Sequence, residues 1–553
     1  MTYKSIEGSQ TPTSPTWWNW SGNLEHLPPS DGTKYYFTPS NSSELKYALS
    51  EAKKAGATIR VSGQRHSQPP LVIDDNRSQV PQTTTEFLVD LSCYADLGPN
   101  EDQRILLGPG KNQVTINTGV REDDLEAFLT ANNLMMKTVT AGGFFSLGGM
   151  VAVDVHGATL DSSIFAEDIA EFKIILADES TLTINAQSPL FPFGHLYMNW
   201  KPLQFARVSL GGLGVVTSIV LNVLDRPYAT TLLGKTERLS LFNKSAFVSK
   251  FKTLLSQHDR IETFFTPYAA AWGLDNFLVL WWDVVDDPAQ KLPNIPSDPK
   301  TACTLAHETP PKYGAPYLQG IAQFGSTLAE QSQYFQWADN PLAGPAVITA
   351  VGRDTIERDG NAANLAHSDL WLNGAVAVIF MSYFIPMPNV DDAGFEVVWD
   401  SIDVVTKRVL PNGHFHIAAP MEFRFVKGGD SAMSGAYSDK PDVMYVNQDL
   451  IAFVKPGLQA SEYPALLLQF FADVERDWVA MGGIPHNGKM YGFYDPKAGP
   501  GTYSASGPFN TNFLAELKES RGVRLEAYQA YRKSLDPNGL FYNKFLRNML
   551  EPK

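Results

Sequence analysis

Three separated glycine clusters are the first feature of this sequence that bears on chemistry. They read VSGQRHS around Gly63, TAGGFFSLGGMVAVDVHG from Thr140 to Gly157, and SLGGLG ending at Gly214. Glycine lets a backbone approach a ligand closely, and clustered N–H groups bind the oxygens of phosphates. The clusters therefore indicate a large anionic ligand, with three ordinary tight turns as the alternative.

A second feature is a pair of opposite charges in the segment PMEFRFVKGGD. Strand alternation places Met421, Phe423 and Phe425 on one face and Glu422 and Arg424 on the other. A carboxylate beside a guanidinium is suited to proton transfer next to a fixed positive charge. A plain buried ion pair is the alternative interpretation.

Several common signatures are missing from the sequence. There is no GxGxxG opening a helix after a strand, no GxxxxGK[ST], no HExxH and no GxSxG; Ser146 lies in a GxxSxG segment. The hypotheses of a Rossmann domain, a P-loop, a zinc protease and an α/β-hydrolase therefore lose support. No metal site is predicted, because no CxxC or Cys/His cluster occurs.

Length and charge limit the class of protein further. The chain has 553 residues, which favours two domains or one large domain with a cap, and 44% of them are hydrophobic. Its 44 Lys and Arg against 59 Asp and Glu give a net charge of -15. Such a chain repels phosphate backbones, so no nucleic-acid partner is expected.

The cysteines and the opening residues bear on location. Cys93 and Cys303 are too few for a disulfide framework, which favours a reducing compartment. The opening lacks the apolar core of a secretory signal, and no run of eighteen apolar residues predicts a membrane-spanning helix. A soluble, cytoplasmic protein is expected, although a trimmed leader would leave the same sequence.

The elements that must position these residues start with a strand, helix and strand unit. Residues 1–34 are rich in Ser, Thr, Pro and Trp and predict an irregular arm over the surface. A helix is expected over 43–54, ending at Gly56 and followed by the strand TIRVSG. Helices are also predicted over 463–481 and 524–536, after a long aromatic and Pro-rich stretch.

The second glycine cluster, with Ser146 and the His156–Gly157 pair, resembles the vanillyl-alcohol oxidase superfamily, whose members carry a para-cresol methylhydroxylase type FAD domain. TPSNSSELKYALSEAKKAGATIRVSGQRHS resembles the entry of that domain, and FARVSLGGLGVVTSIVLNV resembles the strand that closes it. The resemblance implies a two-domain α+β fold: an FAD domain from 1–228 and 446–553, and an inserted antiparallel-sheet cap over 229–445.

The resemblance also implies which residues bind FAD, with its pyrophosphate on the 61–67 loop and the 142–149 backbone. In many members a histidine at the place of His66 is joined covalently to the flavin ring methyl, and no cysteine is present for a second tether. The implied FAD residues are Arg60, Ser62, Gly63, Gln64, Arg65, His66, Ser67, Gly142, Gly143, Ser146, Gly148, Gly149, His156, Gly157, Gly211, Gly214, Val215 and Asn543.

The C-terminal half resembles both covalent type II cholesterol oxidases and aldonolactone oxidases. PHNGK departs from the HWxK of the lactone group at Asn487, which weakens the lactone interpretation. The leading prediction is therefore an FAD-dependent oxidase that converts a sterol or another bulky alcohol to a carbonyl and reduces dioxygen to hydrogen peroxide. An aldonolactone or alditol oxidase, a dehydrogenase with another acceptor, and a non-catalytic binder remain alternatives.

Four residues are the predicted catalytic group. Arg424 would stabilise negative charge on the reduced flavin, and Glu422 would take the hydroxyl proton or orient Arg424. Lys489 would contact the substrate oxygen or the flavin, and Glu262 would lie beside the substrate. An aromatic set in the cap favours a large apolar alcohol: Phe264, Phe265, Tyr268, Trp272, Trp281, Trp282, Trp371, Phe380, Tyr383 and Phe384.

Overall fold

The structure is a computed structural model that describes the greater part of the chain. The described residues are 14–195, 198–226, 232–268, 275–284, 303, 305, 353–354, 356–357, 378–409, 421–453 and 458–551. Trp272, Trp371 and most of the predicted Pro-rich cap insertion lie outside them.

The predicted strand, helix and strand unit is present as a parallel sheet. Its strands lie in the order β3–β5–β4, with helix α1 crossing between β3 and β4. The Asn41 side chain accepts from the Glu44 N–H at 3.1 Å, and Gly56, at φ 64°, ends the helix. The elements up to this sheet are β1 (Trp17–Trp18), β2 (Glu25–His26), β3 (Tyr36–Phe37), α1 (Ser42–Ala55), β4 (Thr58–Ser62) and β5 (Glu86–Asp90).

A five-stranded antiparallel sheet in the order β10–β9–β13–β7–β6 follows. Its strands are β6 (Ile105–Leu107), β7 (Gln113–Asn117), β9 (Ile169–Ile175), β10 (Thr181–Asn185) and β13 (Val215–Asn222). The elements between them are α2 (Glu122–Ala131), β8 (Leu134–Met135), α3 (Leu147–Ala152), β11 (Phe191–Phe193), β12 (Met198–Trp200), α4 (Pro202–Ala206) and β14 (Leu224–Asp225). Helix α3 begins at the second glycine cluster, so this domain brings the predicted FAD segments together.

The cap is a seven-stranded antiparallel sheet in the order β15–β17–β16–β19–β20–β18–β21. Its elements are β15 (Leu232–Leu239), α5 (Lys244–Gln257), β16 (Ile261–Phe265), β17 (Phe277–Val284), β18 (Val378–Met387), α6 (Asp392–Val409), β19 (Met421–Lys427), β20 (Met444–Phe453) and β21 (Ile484–Pro485). The predicted boundary at 445/446 falls inside β20. The expected α+β fold with an antiparallel cap sheet is confirmed.

Three helices follow, α7 (Ala465–Ala480), α8 (Thr511–Leu535) and α9 (Lys544–Leu550). Helix α7 packs on the cap, where Trp478 Nε1 donates to the Ser401 carbonyl of α6 at 2.9 Å, whereas α8 reaches the FAD domain, where the Tyr528 hydroxyl donates to the Ser209 carbonyl at 2.6 Å. Helix α8 is kinked at Gly522, whose φ of 51° and ψ of -137° favour glycine. The neighbouring Arg521 and Arg524 are both buried.

The N-terminal arm differs from the prediction of an irregular segment on the surface. Strands β1 and β2 pair as a hairpin, and Trp17, Asn19 and Asn23 are buried. The polar residues tolerate burial because they bond one another and the chain: Asn19 Nδ2 donates to Asn23 Oδ1 at 2.8 Å, and Asn23 Nδ2 donates to the Gln68 carbonyl at 2.9 Å.

The two cysteines are joined in a Cys93–Cys303 disulfide. This pairing runs against the inference of a reducing compartment, because stable disulfides form mainly in oxidising environments. Single-residue patterns could not foresee it, since 210 positions separate the two cysteines. Within the described residues, no helix is both long and apolar enough to cross a membrane.

Candidate active site

A cavity lies between the FAD domain and the cap sheet and is lined by residues of both. The predicted residues that line it are Arg60, Ser62, Gly63, Gln64, Arg65, His66, Ser67, Ser146, Gly148, Gly149, His156, Gly211, Gly214, Glu422, Arg424 and Lys489.

The remaining predicted residues are not part of this lining: Gly142, Gly143, Gly157, Val215, Asn543 and Glu262. Val215 points away because side chains alternate along β13, and its neighbours Gly214 and Val216 line the cavity instead. Asn543 caps α9, accepting from the Leu546 N–H at 3.0 Å and donating to the Pro70 carbonyl at 3.0 Å.

The glycines show why the sequence needs them where the loops meet. A Cβ on Gly63 would lie 2.1 Å from the Ser146 hydroxyl oxygen, so the first and second clusters are in direct contact. A Cβ on Gly157 would lie 2.1 Å from the Val139 carbonyl oxygen. Gly63 thus brings backbone to the cavity wall as a phosphate-binding loop requires, whereas Gly157 serves packing.

Arg60 lines the cavity, but its guanidinium is engaged by protein. It donates to the carbonyls of Leu71, Leu210, Gly211 and Phe541 at distances from 2.5 to 2.9 Å. The sequence predicts that Arg60 binds FAD, whereas in the structure its guanidinium holds the chain together at Leu71, at Leu210 and Gly211, and at Phe541.

His66 lies in a box of three aromatic rings. Its ring centroid is 5.1 Å from that of Trp20 in a stacked arrangement, and 4.7 Å from those of both Phe144 and Phe145. Burial, reinforced by nearby cations of which Lys489 is the strongest, holds the pKa of His66 well below its usual value. The ring is therefore neutral at pH 7, with a nitrogen lone pair available for bonding.

The predicted charge pair on β19 is one part of a larger cluster. Arg424 lies opposite Glu262 on β16, donates to it from Nε at 3.1 Å, and also forms an ion pair with Glu422. Glu262 is fully buried and Glu422 nearly so. Two carboxylates thus hold one guanidinium in place, with Glu422 facing the cavity and Glu262 behind it.

Asp449, which the sequence analysis did not select, completes this cluster. It lies directly across from Glu422 on β20 and lines the cavity. Burial raises the pKa of Asp449, with Lys489 acting in the opposite direction. The alternation of MYVNQDLIAF marks Asp449 as facing the same side as Asn447, but only strand pairing places it beside Glu422.

Lys489 and two histidines close the other side of this end of the cavity. The Lys489 Nζ lies 3.8 Å from the centroid of the Phe380 ring. The rings of His156 and His486 are 6.2 Å apart, and burial holds the pKa of both histidines well below the usual value. Neutral imidazoles, two cations and acidic groups therefore converge on one region.

Asn487, the departure from the HWxK pattern, points away from the cavity. Its backbone N–H and Nδ2 donate to Asp154 at 2.7 and 2.6 Å, and Arg521 donates to its Oδ1 at 2.7 Å. All three residues are buried. The substitution therefore changes what anchors the loop and leaves His486 and Lys489 at the cavity, so the sequence argument against a lactone substrate loses its basis.

The aromatic set of the cap is mostly packed core. Among its described members, Phe380 alone lines the large cavity, whereas Phe264 and Phe265 are buried in the sheet. Tyr383 donates its hydroxyl to the buried Glu475, and Phe384 stacks on His486. Aromatic richness therefore supplies cap stability and gives no support to a sterol-sized apolar site.

Comparison with known proteins agrees with this geometry. A family model described as an FAD binding domain matches residues 33–185, and one described as D-arabinono-1,4-lactone oxidase matches residues 345–549. L-gulono-1,4-lactone dehydrogenase of Mycobacterium tuberculosis is 23% identical over 540 residues, covering 98% of this chain and 100% of the relative. D-arabinono-1,4-lactone oxidase of Debaryomyces hansenii is 20% identical over 465 residues, covering 82% and 69%.

Solved structures match over nearly the whole chain. A solvent-stable cholesterol oxidase superposes with a TM-score of 0.67 at 14% identity, covering 98% of this chain and 100% of the other. The cholesterol oxidase from B. sterolicum gives the same score and identity over 99% and 100%. At this identity the likeness establishes the fold. With the two matched family models and the cavity between FAD domain and cap, it follows that this chain is an FAD-dependent oxidoreductase with the para-cresol methylhydroxylase type FAD-binding fold.

Proposed function

We propose that this protein oxidises a CH–OH group of a small polyhydroxylated substrate, an aldonolactone or a related alditol. The observation that carries the proposal is the convergence of Glu422, Arg424, Asp449, Lys489 and His486 at one end of the cavity. A sugar-derived substrate presents several hydroxyl groups, and its site needs several convergent hydrogen-bonding partners. The two lactone-acting relatives and the matched lactone-oxidase model support the same choice.

A sterol substrate, the leading prediction from sequence, has less support. The likeness to cholesterol oxidases rests on structures at 14% identity and concerns the fold. A sterol site requires an extended apolar wall. The described lining supplies apolar side chains such as Val153, Val155 and Phe380, but the same lining also carries the charged and polar side chains of Glu422, Arg424, Asp449, Lys489 and His486.

The chain's own residues would divide the work as follows. Bound FAD supplies the acceptor for the hydride that leaves the substrate carbon. Glu422 accepts the hydroxyl proton, while Arg424 supplies a fixed positive charge oriented by Glu262. Lys489 donates a hydrogen bond to a substrate oxygen, and the buried cluster keeps water from the reacting carbon.

His66 is the proposed covalent attachment point, and dioxygen the proposed final electron acceptor. The enclosed, neutral ring of His66 at the cavity wall supports the attachment. The relatives include both an oxidase and a dehydrogenase, so the acceptor is tested separately from the substrate.

The test follows flavin absorbance anaerobically in the full-length protein after addition of L-gulono-1,4-lactone, D-arabinono-1,4-lactone, an alditol or cholesterol. Bleaching by a lactone or alditol is expected; bleaching by cholesterol alone would overturn the proposal. Hydrogen peroxide under air identifies an oxidase, whereas turnover only with an added dye identifies a dehydrogenase.

Two variants make the assignment specific. Arg424→Ala should slow bleaching by about 10²-fold or more with FAD still bound, as for loss of a charge-stabilising group. Arg238→Ala is the matched control, because Arg238 also lies on the cap sheet and forms an ion pair with Glu357, but it is not part of the cavity lining. Equal rates in the two variants would remove Arg424 from the mechanism.

A further inference from the structure

The N-terminal arm contacts the predicted FAD-attachment loop at every residue from Arg65 to Gln68. The Trp18 ring lies 3.8 Å from the Arg65 guanidinium carbon, and the Trp20 N–H donates to the Arg65 carbonyl at 2.8 Å. The Trp20 ring stacks on His66.

The same arm bonds the following two residues of the loop. Asn19 Nδ2 donates to the Ser67 carbonyl at 3.0 Å, and Asn23 Nδ2 donates to the Gln68 carbonyl. Gln68 Nε2 in turn donates to the Ser21 hydroxyl at 2.6 Å. A stretch of Trp and Asn residues that looks like surface loop is therefore built against this loop.

Gln68 extends the connection to the substrate side of the cavity. Its Nε2 donates to the Val378 carbonyl at 3.1 Å, its Oε1 accepts from the Phe380 N–H at 3.0 Å, and its own N–H donates to the Gly488 carbonyl at 3.0 Å. The loop is thus held between the arm, strand β18 and the segment that carries Lys489.

The loop needs such support because its backbone is strained. Arg65 has a φ of 64°, in the left-handed region that costs free energy for a residue with a Cβ. Strained backbone persists only where surrounding contacts hold it in place. The contacts of Trp18 and Trp20 with Arg65 provide them immediately before His66.

We propose that arm residues 17–24, with Trp20 as the decisive member, are a positioning element that orients His66 for covalent attachment of the flavin. Phe144 and Phe145 enclose His66 from the glycine cluster, and Trp20 supplies the remaining wall. The inference rests on the proposed His66 tether and goes beyond it by assigning a role to the arm.

The bond whose rate is at stake joins a ring nitrogen of His66 to the flavin's ring methyl carbon. One hydrogen leaves the ring nitrogen and one leaves the methyl carbon. Together they amount to two protons and two electrons, which pass finally to dioxygen and give hydrogen peroxide. A neutral, correctly directed imidazole is what this bond requires from the protein, and a misdirected one slows its formation.

The experiment compares Trp20→Ala with Trp20→Phe, which keeps an aromatic ring against His66. Trp281→Ala is the matched control, because Trp281 stacks on His258 at 4.7 Å in the cap, away from the cavity lining. Each full-length protein is incubated with excess FAD under air, and the flavin that stays with the acid-precipitated protein is measured over time.

Trp20→Ala should acquire acid-stable flavin about tenfold more slowly than the wild type, whereas the Trp20→Phe and Trp281→Ala variants should stay near the wild-type rate. Should Trp20→Ala not accumulate, Trp20→Leu replaces it, because leucine keeps apolar bulk without the ring. Attachment in the Ala or Leu variant as fast as in the Phe variant would overturn the inference.

The outcomes separate this inference from the proposed function. A wild type without acid-stable flavin would overturn the His66 tether and the arm's role together. Flavin bleaching by a lactone is read without acid precipitation and tests the oxidation independently of either.

Discussion

Replacement of Arg60 by methionine distinguishes a structural role for this arginine from the FAD-binding role that the sequence predicts. Burial lowers the pKa of Arg60 to about 10, so the guanidinium remains protonated at pH 7. It donates to the carbonyls of Leu71, Leu210, Gly211 and Phe541, which lie on three separate parts of the chain. Arg60→Met keeps much of the side-chain volume but removes all four bonds.

The expected loss follows from the number of bonds. Each hydrogen bond contributes about 1 kcal/mol net, so the four together give a fall of about 4 kcal/mol in the free energy of unfolding. Against a typical stability of about 5–15 kcal/mol, such a change moves a urea midpoint clearly. Arg104→Met is the matched control, because Arg104 is also buried and the one described hydrogen bond of its side chain is to the Ser92 carbonyl. It should cost about 1 kcal/mol.

The assay is urea unfolding of each full-length variant, followed by tryptophan fluorescence, together with the flavin content of the purified protein. The structural role predicts a large drop in stability for Arg60→Met, several times that of Arg104→Met. If Arg60→Met unfolded at the wild-type urea concentration but had lost its flavin, Arg60 would be a ligand of FAD and the reasoning would be wrong.

Three further predictions concern the catalytic cluster, the buried histidines and the disulfide. Glu262→Gln should slow flavin reduction by about 10–100-fold with FAD retained, because Arg424 loses the negative charge that orients it; stopped-flow absorbance measures this, and an unchanged rate would show that this charge does not position Arg424. Because the folded-state pKa of His156 is depressed, its neutral form stabilises the protein above the unfolded pKa of about 6.5, and stability should fall as pH drops below it by up to about 1.4 kcal/mol per pH unit. Thermal unfolding between pH 5 and 7 should show a shallower slope for His156→Gln, and an identical slope would contradict the assignment. Cys93→Ser should lower the free energy of unfolding by about 2–4 kcal/mol, with no further effect of dithiothreitol, whereas a wild type insensitive to dithiothreitol would argue against the Cys93–Cys303 bond.

The loop of Asn487 is anchored by polar contacts in place of the aromatic residue of the HWxK pattern. A tryptophan in the HWxK pattern would fill space, whereas Asn487 is held by hydrogen bonds from Arg521 and to Asp154. The hydrogen bonds within this triad offset part of the cost of removing its polar groups from water. The residues that reach the cavity, His486 and Lys489, are unaffected by the exchange.

Local patterns were sufficient for the fold class and for much of the cavity wall. The caps and apolar face of α1 follow from short-range hydrogen bonding and periodicity, and both are present. The glycine clusters by themselves indicated a large anionic ligand, because close backbone approach requires glycine, and their resemblance to a flavoprotein superfamily identified that ligand as FAD. Strand alternation alone was enough to place Glu422 and Arg424 on one face.

Other features depended on contacts between distant parts of the chain. The Trp and Asn residues of the arm predict an irregular surface segment, because their spacing does not reveal the distant residues that bury them. Asp449 became part of the site only through the pairing of β20 with β19, and the bonds of Arg60 to Leu71, Leu210, Gly211 and Phe541 depend on three separate chain segments meeting around it.

The sequence by itself thus indicated the cofactor and the α+β fold through its resemblance to a flavoprotein superfamily, and it predicted the pairing of Glu422 with Arg424 through the near-neighbour spacing of a strand. The tertiary structure decided which aromatic residues are core and which face the cavity, what holds His66, and that the catalytic end is polar. Those properties depend on which long-range partner satisfies each buried group, and a one-dimensional pattern does not contain that information.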